Sequence, residues 1–193
     1  MKKIWCFIIV LSALLICSSL VCYASEYDDY INNINNKYGL SLIKNDEVEN
    51  NIDFDTFKND IDKIVRAHIE YEKEMKILEN RFDILEDFDE YGLLAPLSES
   101  YKTVTKRKHA DNIFDIKATY DYCTETPYRV SNFRNISWHW QLQTLFESFT
   151  PNSGYPTLRY IDSHRSGYIT YVGKYTNLSV TDSNYKFFAS FSK

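Results

Sequence analysis

Ten positions from Phe54 to Leu85 step along the chain by three and four without a break: Phe54, Phe57, Ile61, Ile64, His68, Tyr71, Met75, Leu78, Phe82 and Leu85. Only an α-helix brings such positions onto one face. No Gly or Pro interrupts the run, Asp53 or Asp55 can cap its start, and Gly92 followed by Pro96 ends it. The pattern predicts one helix of ~35 residues, on the order of 50 Å long. Val65, Ile69, Ile77, Ile84 and Phe88 widen the apolar stripe beyond the two seam positions, which suits burial against several neighbours in the same chain. The seam alone would also serve a coiled coil, and hence a homodimer. His68 sits mid-seam and reads as a core-edge histidine, with register setting or pH sensing as the alternative. A shorter helix precedes it, from Tyr27, Ile31, Ile34 and Tyr38, with Gly39 as its stop.

Beyond Pro96 the period changes. Thr103 to Lys108, Asn112 to Cys123, Tyr128 to Leu142, Thr144 to Phe149, Thr157 to Asp162, Tyr168 to Tyr175 and Tyr185 to Ser192 are rich in aromatic and β-branched residues. Ile116, Ala118, Tyr120 and Tyr122 alternate with Asp115, Lys117, Thr119 and Asp121, as in a strand with one wet face. Turn chemistry falls at His109 to Asn112, Glu125 to Pro127, Pro151 to Pro156, Asp162 to Gly167 and Thr181 to Asn184. Gly173, inside a strand pattern, marks a bulge. The expected fold is α+β: one short and one long helix, then an antiparallel all-β sandwich or small barrel.

The first residues set the destination. Lys2 and Lys3 precede an apolar run from Ile4 to Ile16, and Cys22-Tyr23-Ala24 places small residues for a cut after Ala24. This is the layout of a cleavable signal peptide over residues 1–24, with a membrane anchor as the rival. Cleavage removes Cys6, Cys17 and Cys22, so Cys123 alone remains and no internal disulfide can form. The fold must rest on core packing.

The remainder divides into an acidic helical region, 25–95, and a β-rich domain, 96–193. Ser25 to Ser98 carries 8 Lys+Arg against 19 Asp+Glu, whereas Glu99 to Lys193 carries 12 against 8. The acidic part is expected to be a solvated helix face, or a mask over a basic surface of the other part. The acidic total and the export signal argue against nucleic acid as a partner.

No catalytic residue and no cofactor are expected. His68, His109, His139 and His164 are scattered, without His-Glu-x-x-His or paired cysteines, so no metal set is read. Five glycines spread through the chain make no phosphate loop or dinucleotide fingerprint. Cys123 with His139 or His164 is the one nucleophilic pairing available, but Cys123 ends a strand pattern and reads as a buried, inert thiol.

Three surfaces remain as candidates for binding. Trp138 and Trp140 share a strand face with Ile136 and Leu142, opposite His139, Ser137, Gln141 and Gln143. The tryptophans read first as core, and otherwise as a platform for stacking sugar rings. Tyr160, Tyr168, Tyr171 and Tyr175 of a tyrosine-rich hairpin form the second surface. The third is the basic run Lys106, Arg107 and Lys108, suited to anionic polymers or headgroups. Asn135-Ile-Ser137 and Asn177-Leu-Ser179 would be glycosylation acceptors in a eukaryotic source, although the Asn, Lys, Ile and Tyr content suits an AT-rich bacterium. The expected function is an exported, non-enzymatic binding protein that recognises an envelope component, anionic or glycan, or a protein partner. A toxin-like β effector restrained by the acidic half and a small hydrolase using Cys123 and His139 are the alternatives.

Overall fold

The computed structural model describes residues 26–45, 52–82, 100–125, 128–142, 144, 146–161 and 164–193. The expected signal peptide and the expected end of the long helix near Leu85, Gly92 and Pro96 lie outside these residues. No described helix is long and apolar enough to cross a membrane.

Helix α1 covers residues 26–38. It stops where expected: Gly39 takes φ +67° and donates its amide to the Asn35 carbonyl at 2.8 Å. Tyr27 turns its ring edge-on to Phe54 and Phe57 of the second helix, at 5.0 and 4.7 Å between centroids. The Asn35 side chain brackets the backbone of Leu42, accepting from its amide and donating to its carbonyl, each at 2.9 Å. That clamp aligns β1 (Leu42–Lys44), which pairs antiparallel with the last strand of the chain. The sequence reading places no strand here, because three residues beside a polar stretch are too few to display a period.

Helix α2 (Phe54–Phe82) begins at the expected cap. Asp53 accepts from the Thr56 amide at 2.9 Å and from its hydroxyl at 2.8 Å. These bonds hold the Asp53 carboxyl below its usual range. Phe57, Ile61, Ile64, Val65 and Ala67 are buried in a core continuous with both helices and both sheets.

Seven strands follow: β2 (Tyr101–His109), β3 (Phe114–Cys123), β4 (Val130–Trp140), β5 (Ser148–Pro151), β6 (Thr157–Ile161), β7 (Ser166–Thr176) and β8 (Val180–Phe191). All described pairings are antiparallel. One sheet runs β1-β8-β7, with β5 and β6 both pairing the far side of β7; the other runs β2-β3-β4. The fold is therefore the expected α+β class with an antiparallel, sandwich-like β part, except that β1 interrupts the helical region. Aromatic rings join the two sheets: Phe114 of β3 stacks on Phe187 of β8 at 4.4 Å, and Tyr120 meets Phe191 at 5.8 Å. Helix α2 lies along β8, and Ser179 donates its hydroxyl to Asp60 at 2.7 Å.

The turn expected at Thr181 to Asn184 lies elsewhere. The chain reverses over 177–179, where the Asn177 side chain accepts from the amides of Ser179 and Val180 at 3.0 and 2.9 Å. Thr181 to Asn184 belongs to β8, and its register on β7 slips between Gly173 and Tyr175. Polar residues in a bulged strand carry the same local signature as a turn, which is why composition misplaced it. Gly173 is constrained by space, since a Cβ there would run into the Thr150 carbonyl and reach the Phe149 ring at 2.7 Å. Gly173→Ala is expected to lower stability by about 1–3 kcal/mol in urea unfolding, as overpacked sites do. An unchanged midpoint would show that β5 yields without cost.

Candidate functional site

Alternation along β3 buries Phe114, Ile116, Ala118 and Tyr120 between the sheets and turns Asp115, Lys117, Thr119 and Asp121 to the other side. Cross-strand register adds His109, Arg107, Thr105 and Thr103 from β2. It adds His139, Ser137, Arg134 and Ser131 from β4. The outer face of the three-stranded sheet is thus a polar array four rows deep.

Two carboxylates organise it. Asp121 accepts from the Thr103 hydroxyl at 2.6 Å, from both Arg134 guanidinium nitrogens at 3.1 and 3.2 Å, and from the Asn132 amide at 3.1 Å. Arg134, Thr103 and Asn132 together hold its carboxyl well below the usual range. Asp115 is buried, and burial pushes its carboxyl up. Hydrogen bonds from His109 Nδ1 at 2.7 Å and Arg107 Nε at 2.6 Å, with their charges, outweigh that and hold it below its usual range. Arg107 also donates to the Trp140 carbonyl at 3.1 Å. Between these clusters the Lys117 side chain is exposed and forms no ion pair or hydrogen bond among the described residues. On this face Arg107, Lys117 and Arg134 accompany two carboxylates that are already engaged.

Serine, histidine and aspartate also lie side by side here. Ser137 Oγ and His139 Nε2 are 3.1 Å apart, and His139 is the cross-strand neighbour of Asp115. The types match a nucleophilic triad, but the hydrogen bonds differ. Both Asp115 oxygens are taken by Arg107 and His109, so the carboxylate does not orient His139.

The residues singled out from the sequence are distributed over several places. Trp138 and Trp140 pack inward against Phe114 at 5.7 and 4.6 Å, and Trp138 lies against Phe149 at 5.3 Å, while His139 faces outward. Gln141 folds back onto the Asp111 and Phe114 carbonyls, and Gln143 lies outside the described residues. The four tyrosines do not share a surface. Tyr171 is buried against Phe187 at 5.3 Å, and burial pushes its hydroxyl up to about 12. Tyr175 is buried too and donates to Glu147 at 3.1 Å. Tyr160 packs on Phe133 at 5.9 Å, whereas Tyr168 stacks on Phe188 at 5.9 Å, near Tyr71 of α2.

Strand alternation likewise splits the basic run. Arg107 joins the outer face, Lys106 points the other way and donates to the Ser192 carbonyl at 3.1 Å, and Lys108 is exposed. Cys123 is 1% exposed at the end of β3 opposite Tyr101. His139 lies beside Asp115 at the strand's other end, roughly 26 Å away at 3.3 Å per residue. His164 is closer to the Cys123 end, where its carbonyl accepts from the Val130 amide at 2.6 Å. Its ring lies tilted against Tyr160 at 4.5 Å, and no hydrogen bond joins it to the thiol among the described residues. Sequence reasoning left out Asp115, Lys117, Asp121 and Arg134 as site residues. For Asp115, Lys117 and Asp121 the signal was the wet alternation of β3, which gives no hint of neighbours across the sheet such as Arg134 of β4.

A shallow cavity of about 170 Å³ lies between α2 and β8, where Glu70, Glu74, Asp111, Tyr71 and Lys186 meet. Burial pushes the Asp111 carboxyl up despite hydrogen bonds from the Tyr185 hydroxyl and the Phe114 and Ile113 amides. Among the described residues, no three His, Cys, Asp or Glu side chains are placed to hold a metal ion. No family model, curated protein or solved structure matches this chain.

Proposed function

We propose that this chain is an exported, non-enzymatic binding protein that contacts an anionic or glycan component of a cell envelope, or a protein partner, through the outer face of β2, β3 and β4. The observation that carries this reading is the unpaired Lys117 between Arg107 and Arg134, on a face whose two carboxylates are already satisfied. An anion docking there meets positive charge without displacing an internal partner from Lys117. Among the described residues α2 packs on β8, which favours a spacer role for it over a mask. Removal of a signal peptide after Ala24 would deliver the chain outside the cell.

Binding to a sulfated glycan or polyphosphate, followed by fluorescence anisotropy, tests the reading. Lys117→Glu is expected to weaken binding about tenfold or more at low salt, given ~1 kcal/mol per basic residue near an anionic surface and the added repulsion. The difference should shrink at high salt, where screening is strong. Folding stability should stay within about 0.5 kcal/mol of wild type, since the side chain is exposed and unpartnered. Equal affinity in the variant would remove this face as the site.

A further inference from the structure

The two Asn-x-Ser sequons occupy opposite environments, and the contrast assigns a modification site. Asn135 lies in β4, an edge strand of the β2-β3-β4 sheet. Ser137 pairs with Lys117, and the next pair is Arg134 with Thr119, so Asn135 and Ile136 of β4 oppose Ala118 alone of β3. Asn135 sits in that bulge at φ +52°, a conformation asparagine adopts more readily than most residues. It is exposed, and its side chain has no hydrogen-bond partner among the described residues. Asn177 is only 5% exposed, and its side-chain oxygen accepts from the amides of Ser179 and Val180 to form the reversal between β7 and β8.

We propose that Asn135, and not Asn177, carries an N-linked glycan when the chain passes through a secretory pathway that attaches them. In the transfer, the Asn135 amide nitrogen bonds to the anomeric carbon of a polyprenyl-diphosphate oligosaccharide. The carbon–oxygen bond to the diphosphate breaks, the lipid diphosphate leaves with the electron pair, and the amide gives up one proton. A sugar on Asn135 projects into solvent from a strand edge. A sugar on Asn177 would have to fit inside the β7–β8 reversal, and a chain modified there could not close that sheet.

The position also addresses an exposed edge. At the other edge of the same sheet, β2 carries Lys102, Lys106 and Lys108, the kind of charge that discourages pairing with a second chain. The one cation of β4, Arg134, is bound to Asp121, so this edge relies on its bulges and on Asn135. A bulky, hydrated glycan there would prevent strand addition.

The test is expression of the full chain behind an established eukaryotic secretory signal, read on denaturing gels with and without peptide N-glycosidase. Cell lysate and medium are both sampled, so a variant that fails to fold is still scored. Wild type and Asn177→Gln are expected to show one mobility step removed by the glycosidase. Asn135→Gln and Ser137→Ala are expected to show none. A wild type without a step, a wild type with two steps, or a step retained in Asn135→Gln overturns the assignment.

Discussion

Phe114→Ala is expected to lower stability by about 3–5 kcal/mol, the usual range for deleting a buried phenylalanine from a packed core. Phe114 is fully buried, and its ring meets residues from four other strands. It stacks on Phe187 of β8 at 4.4 Å and lies 4.6 Å from Trp140 of β4, 5.1 Å from Phe149 of β5 and 6.1 Å from Tyr175 of β7. Alanine would leave a cavity bordered by rigid rings, which cannot rotate into the space as flexible aliphatic chains do. With no described disulfide to limit the unfolded chain, the loss falls on the core alone. Whole domains hold only about 5–15 kcal/mol, so the variant should sit close to its unfolding threshold. Urea unfolding followed by tryptophan fluorescence measures this, because Trp138 and Trp140 border the same cluster. A loss below about 1 kcal/mol would mean that the two sheets are held together elsewhere.

Ile64→Asp should be at least as damaging, and it separates two readings of the long helix. Ile64 is 0% exposed within one chain, so aspartate there buries a charge with no partner. Such substitutions exceed about 4 kcal/mol or force the group to take up a proton. Ile77, on the same helix, is 47% exposed, and Ile77→Asp is expected to change stability by no more than about 0.5 kcal/mol. A seam used for self-association predicts something else: Ile64→Asp would release a folded monomer from a dimer. Circular dichroism with sedimentation distinguishes the cases. A folded, monomeric Ile64→Asp protein would show that α2 does not depend on its own chain for burial.

Several elements were legible because their signals are local. The Phe57, Ile61 and Ile64 spacing specifies a helix through the geometry of 3.6 residues per turn, and Asp53 and Gly39 mark ends through bonds made within a few residues. The alternation Asp115 to Tyr122 likewise names a strand and its wet side from the pleat alone. The inward packing of Trp138 and Trp140, with His139 opposite, follows from the same rule. Where only composition was available the reading slipped, as at Thr181 to Asn184, because a bulge and a turn draw on the same polar residues.

The two helices, the change to strands in the second half and the wet face of β3 are all legible without any knowledge of the fold. Each rests on neighbours within one turn or one pleat, or on a count of residue types. The composition of the outer face was decided only by the tertiary structure. Arg107, Asp115 and His139 come together through strand register, which depends on pairings between segments separated along the chain. Register also set Cys123 and His139 at opposite ends of a sheet and placed Leu42 to Lys44 beside β8. A single phase slip in a strand exchanges its faces, and no local pattern records which partner enforces the phase.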